Sequence, residues 1–164
     1  MRQSEALLIV SDTGPLISLA VVDRLSLLET FYGRIIIPSA VWDELQKYID
    51  VLSLPSLHQF QEKVIPLTAA PPDYGLDDGE TEAIELFEEK SADRLLVDDK
   101  AARRVAESRH IPCIGALGVL ARAKDQGLVD ALRPVFETLL EKGRYYSIPL
   151  LNQILKTNSE DPLT

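Results

Sequence analysis

The sequence is poor in the side chains that most enzymes use as nucleophiles or soft metal ligands. It has one cysteine (Cys113) and two histidines (His58 and His110) in 164 residues. A lone thiol excludes an internal disulfide and suits a reducing, cytoplasmic home. Neither histidine neighbours a nucleophile motif, so Ser-His and Cys-His catalysis lack their base, and both histidines read as surface or structural residues. Cys113 falls in an expected core strand and reads as inert. GxxxxGK[ST], GxGxxG and CxxC are all absent, which removes P-loop, dinucleotide and zinc-ribbon chemistry. Residues 115–119 (GALGV) have two glycines after a strand but no phosphate-cradle spacing, and read as close packing of a helix on a sheet. No apolar run approaches the ~20 residues that cross a bilayer, so no membrane association is expected. The apolar stretch in MRQSEALLIVSD is too short for a secretory core and reads as a first β-strand.

What is present is an ordinary globular composition, 46% apolar and 26% charged, enough to build a core in one domain. Net charge is −9, from 26 acidic and 17 basic residues. Taken alone this opposes a nucleic-acid partner, because such binders are usually basic. Acids collected for metal binding would add negative charge that bound cations offset locally. Arg94, Lys100, Arg103, Arg104 and Arg109 fall in one short stretch.

Continuous apolar runs at residues 6–10 and 35–37 read as buried parallel strands. Further strands are expected at 64–67, 94–97 and 111–114, about five in all. Helices are expected at 16–20, 25–31, 38–49, 57–62, 79–90, 100–109, 116–126, 132–142 and 148–155. The alternation gives an α/β domain with a mainly parallel sheet over residues 1–157. The polar tail, 158–164, is expected to fray.

The acids sit where such a sheet binds ligands, at the carboxyl ends of strands. Asp12 follows the first strand, and Asp98 and Asp99 follow the strand at 94–97. As a helix cap Asp12 would accept a backbone N–H, and that reading stands slightly ahead from this feature alone. Glu44 lies between Val41 and Leu45 in VWDEL, so it can lean toward the strand ends or face solvent. Glu80 and Glu82 lie near a helix N-terminus, where the helix dipole favours acids. They stand about 200° apart around the axis, so both do not point at one cation. Hard divalent cations take carboxylate oxygens, and two of them promote phosphodiester cleavage without Ser, Cys or His.

The segments IVSDTGPLISLA (residues 9–20), IIIPSAVWDEL (35–45), DDGETEAIEL (77–86) and RLLVDDKAARRVA (94–106) resemble, in order, the four acidic motifs of PIN domains. The later segment at 114–143 is similar to a VapC-like branch. The resemblance implies a three-layer α/β/α fold and endoribonuclease activity with Mg²⁺ or Mn²⁺. It often implies toxin duty with an antitoxin partner. By position, Asp12, Glu44 and Asp99 match the first, second and fourth family acids. Spacing favours Glu82 as the third, and the Gly-Glu step favours Glu80. Asp98 is an extra candidate, and Thr13 matches the supporting hydroxyl. Two departures stand out: a glutamate serves as third acid, and Val97 replaces a common threonine.

The resulting expectation is an RNA-cleaving enzyme. Asp12 and Asp99, with Glu44 and Glu82 or Glu80, hold one or two cations, while Lys100, Arg103 and Arg104 form either a phosphate-binding stripe or a solvated helix face. A PIN-shaped RNA-binding module that no longer cleaves is the alternative. A receiver-like phosphoacceptor would pair acids after its first strand, where Asp12 stands alone. Leu139, Leu140, Leu150, Leu151 and Leu155 suit either homodimer contacts or the core.

Overall fold

The computed structural model describes residues 6–164; the first five residues of the expected domain lie outside it. Four strands form one parallel sheet: β1 (Leu7–Ser11), β2 (Gly33–Ile36), β3 (Arg94–Leu96) and β4 (Cys113–Ile114), in the order β2-β1-β3-β4. Between β1 and β2 run α1 (Thr13–Val21) and α2 (Ser26–Phe31). After β2 come α3 (Ser39–Val51), a 3-10 helix (Pro55–Lys63) and α4 (Asp78–Glu89). Helix α5 (Lys100–Ser108) links β3 to β4. The chain continues through α6 (Ala116–Asp125), α7 (Leu132–Glu141) and α8 (Ile148–Thr157).

Strand side chains alternate between the two faces of a sheet, and here each face meets its own core. Ile9, Ile35, Ile37 and Leu96 face the larger core, with α1, α2, α3, α6, α7 and α8. Val10, Ile36, Leu95 and Val97 face the smaller one, built with Ala83, Ile84, Leu86 and Phe87 of α4 and Ala102 and Ala106 of α5. Both faces of the central strands are therefore dry, which explains why ALLIV and III are uninterrupted apolar runs. Fully burying each such side chain contributes about 1.5–3 kcal/mol. The result is the three-layer α/β/α sandwich expected.

The strand expected at 64–67 does not form. Val64 makes one parallel bridge to Ile37, held by Ile37 N–H to Lys63 O (3.0 Å) and Ile65 N–H to Ile37 O (2.9 Å). Pro66 follows and has no N–H to extend the ladder. Among the described residues the sheet thus has four strands rather than about five.

The tail expected to fray after residue 157 makes side-chain hydrogen bonds to the domain. Glu160 accepts hydrogen bonds from Leu132 N (2.8 Å), Arg133 N (3.0 Å) and Lys124 Nζ (3.0 Å), and Leu163 N donates to Asn152 Oδ1 (2.7 Å). A carboxylate on the open N–H groups that begin α7 is a favourable use of a helix N-terminus. Leu139, Leu151 and Leu155 are fully buried and Leu140 packs against the core, so core packing accounts for them; Leu150 remains 44% exposed.

Candidate active site at the strand switch point

The chain runs from β1 outward to β2, then returns to place β3 on the other side of β1. The crevice at such a reversal is where open parallel sheets bind ligands. The join is tight there: Asp12 N–H donates to Leu96 O at 2.9 Å. Immediately beyond lies a cleft of about 790 Å³, and its acidic wall comprises Asp12, Glu44, Asp77, Glu80, Asp98 and Asp99.

These acids fall into two kinds. Asp12 occupies the N-cap position of α1, yet its side chain makes no capping hydrogen bond. It is only 7% exposed. Burial pushes its pKa up to about 7, and the charges of Asp77, Glu44 and Asp98 add to the rise. Beside it, the buried Thr13 hydroxyl makes no well-formed hydrogen bond and interacts with the Glu44 carboxylate, opposing the rise in its pKa. Glu44 reaches the same point from α3, and burial and the Asp77 charge raise its pKa too. Gly79 makes room for both. A Cβ at position 79 would stand 2.5 Å from Glu44 Oε1 and 3.4 Å from Asp12 Oδ1.

Asp77, Asp98 and Asp99 are engaged structurally. Asp77 Oδ1 accepts from Glu80 N (2.8 Å), and Glu80 Oε1 accepts from Asp77 N (3.3 Å), a capping box that starts α4. Asp99 Oδ2 accepts from Ala102 N (3.0 Å) as the cap of α5. Asp98 spends both oxygens: Oδ1 accepts from Ala116 N (2.9 Å), and Oδ2 accepts from the Tyr146 hydroxyl (2.8 Å). Gly115 permits that approach, since a Cβ there would meet Asp98 Oδ1 at 2.8 Å. Glu80 has a raised pKa, through burial first and then the charges of Asp77, Asp12 and Asp99.

Among the described residues, no three acids already enclose one point at ligand distance. The donor chemistry nevertheless fits a hard cation. Mg²⁺ commonly uses only one or two protein carboxylates and completes its shell with water and substrate phosphate. An uncapped buried carboxylate and a second carboxylate at one glycine-made gap, with the Thr13 hydroxyl beside them, supply that minimum.

The family model described as DUF3368, PIN domain, matches residues 8–160. The chain belongs to the PIN-domain family. Members are typically metal-dependent nucleases that bind nucleic acid. A PilT N-terminus domain protein from the hyperthermophilic archaeon Sulfolobus solfataricus P2 is similar in structure, with a TM-score of 0.51 and 16% identity. The alignment covers 71% of this chain and 93% of that one, a likeness of fold. No curated protein matches the chain.

Within this PIN domain the structure redistributes several expected roles. Glu82 does not line the cleft; its Oε1 accepts from Ala40 N at 3.1 Å, at the start of α3. The capping box at Asp77 fixes the rotational phase of α4, turning Glu80 to the cleft and Glu82 toward α3. Of the basic trio, Lys100 lines the cleft. Arg103 does not: its Nη1 donates to Val97 O at 3.4 Å and its Nε faces Glu107 at 3.8 Å. Arg104 is exposed and does not line the cleft.

The opposite wall was not foreseen. Arg144, Tyr145, Tyr146 and Ser147, between α7 and α8, close the cleft. Arg144 Nε donates to Ser18 Oγ (3.1 Å) and its Nη2 to Gly14 O (3.1 Å). The Tyr146 hydroxyl also bonds Ser18 Oγ at 2.7 Å. Burial raises the Tyr146 pKa, and the Asp98 charge adds to it, so the phenol stays protonated and can donate to Asp98. Cys113 is half-buried with its thiol pKa pushed up by burial, and His58 and His110 are exposed. Among the described residues, no helix is long and apolar enough to cross a membrane.

Proposed function

We propose that this PIN domain is an endoribonuclease dependent on Mg²⁺ or Mn²⁺. The observation that carries the reading is the meeting of Asp12 and Glu44 at the Gly79 gap, with Asp12 buried, uncapped and repelled by its acidic neighbours. A buried carboxylate left without a capping bond and repelled by its neighbours is costly to the fold unless a cation or proton answers it.

Asp12 and Glu44 would hold the cation, with Glu80 and Asp99 at the rim and Thr13 supplying a hydroxyl. A divalent ion bound there supplies positive charge to the phosphodiester and acidifies water for attack. The chain's own contribution is to fix the acids on rigid elements and to bring cationic Lys100 into the same cleft. Asp98 serves to pin α6 and Tyr146 in place, and Glu82 to hold α3.

The deciding experiment is cleavage of an unstructured RNA with Mn²⁺ by the wild type beside Asp12→Asn. Mn²⁺-dependent cleavage lost in the variant, with folding retained, supports the reading. Equal activity in both would falsify it.

One observation favours a second reading, an RNA-binding module that does not cleave: three acids are not preassembled around one point. RNA affinity with no requirement for Mn²⁺ and no cleavage would select it. The VapC-like resemblance further suggests a cytoplasmic toxin with an antitoxin partner. Co-purification with the product of an adjacent short gene tests that role, and gel filtration tests homodimer formation.

A further inference from the structure

We propose that Tyr145, with Tyr48 lining the same cleft, is a stacking platform that seats an unpaired RNA base beside the phosphodiester to be cut. This rests on the ribonuclease reading and deepens it by naming the residues that select an unstacked nucleotide.

Tyr145 is 82% exposed, the most exposed large hydrophobic side chain among the described residues, so core packing does not explain it. Yet its backbone is held from both sides. Arg144 is bonded to Ser18 and Gly14, two residues from Asp12, and Tyr146 is bonded to Asp98 and Ser18. The ring between those two anchors lines the cleft without being buried by it. An aromatic side chain has only two χ angles, so a ring on a fixed backbone loses little entropy when a partner stacks on it.

Tyr48 stands one helical turn after Glu44, on the same face of α3. It is 38% exposed and lines the same cleft. The cleft is therefore lined by carboxylates, by the two tyrosine rings, and by cationic Lys100 and Arg144. Carboxylates with a cation address a phosphodiester. Rings address a base that has left its stack. A paired base presents no free face, so this pair of tyrosines reads single-stranded or looped RNA and rejects duplex. Because every base has a π face, such a platform is tolerant of sequence.

The test uses the full chain in an Asp12→Asn background that leaves RNA intact, and measures binding by fluorescence anisotropy. Two labelled oligoribonucleotides serve as probes, one unmodified and one with abasic sites throughout its centre. Tyr145→Ala should weaken binding of the unmodified strand by about tenfold, the scale of one lost base–aromatic stack. It should leave the abasic strand nearly unchanged. Tyr145→Trp should keep the affinity for the unmodified strand, and in the otherwise native enzyme Tyr145→Ala should raise KM more than it lowers kcat. Equal loss on both strands would assign Tyr145 a role other than stacking and overturn the proposal, as would no loss on either. If the wild type cleaves neither strand with Mn²⁺, the ribonuclease reading falls together with this one. Parent binding without a Tyr145 effect overturns the platform alone.

Discussion

The ends of β1 and β3 lie side by side, and both carry acids into one cleft, but they are built differently. After β3, Asp98 and Asp99 are satisfied: one joins α6 to Tyr146, the other caps α5. After β1, Asp12 has no cap bond and the Thr13 hydroxyl is bonded to no helix-holding group, facing only Glu44, though both are buried. The β3 end spends its acids on holding helices together. The β1 end leaves an unanswered charge, the kind of local cost that folded proteins keep where chemistry is done.

Substitutions can sharpen that contrast. The largest effect belongs to Asp12→Asn. It should reduce Mn²⁺-dependent cleavage by more than about a hundredfold, beyond the range already seen for groups that merely support metal ligands. The apo protein should at the same time keep or raise its melting temperature, because a repelled buried charge is removed. Asp98→Asn should reverse this pattern, with a lower melting temperature and a smaller loss of rate. If Asp98→Asn proved the more damaging to cleavage at equal stability, the contrast between the two strand ends would be wrong.

Gly79→Ala is expected next. Its Cβ would press on the far end of the flexible Glu44 side chain, which can swing away at little cost to folding. Stability should stay within about 1 kcal/mol, the scale of the Gly-to-Ala helix propensity difference. Apparent Mn²⁺ affinity should fall by about tenfold, read by titrating activity against Mn²⁺. Unchanged affinity would separate Glu44 from the cation site.

A smaller effect is expected for Tyr146→Phe, which removes the donor to Asp98. Chemical denaturation should report a loss of about 1–3 kcal/mol, the cost of leaving a buried polar partner unmet.

The smallest effect is in the pH profile. Asp12 ionises near 3.8 when exposed and at about 7 in the fold. Between those values the folded chain keeps a proton that the unfolded chain has released. Stability in EDTA should therefore fall as pH rises from about 4 to 7, then level off. The difference between wild type and Asp12→Asn isolates this group, a melting-temperature gap on the order of a few degrees. Mn²⁺ should close the gap by stabilising the wild type alone. A gap that widened on acidification would contradict the assignment.

Much of this was legible in the sequence because it was local. An acid ending ALLIV, and a pair ending RLLV, announce the carboxyl edge of a buried sheet. What stayed hidden depends on phase or on distance. Glu80 and Glu82 were separable only once the Asp77 capping box set the rotation of α4. The bond between Asp98 and Tyr146 spans 48 residues, and that between Arg144 and Gly14 spans 130. Nothing in residues 144–147 has a period that would reveal them. The expected strand at 64–67 failed for the opposite reason: its apolar character was local, but Pro66 denied it a ladder.

The sheet's margins restrict how this molecule can meet another. On one side β2 is flanked by the 63–65 segment, which uses Ile37 for both of its ladder bonds. On the other, β4 has two paired residues and follows Pro112, too short a rail for a foreign strand to zip along. Neither flank presents a long open ladder among the described residues. Association through side chains on the surrounding helices is therefore the favoured route over strand addition.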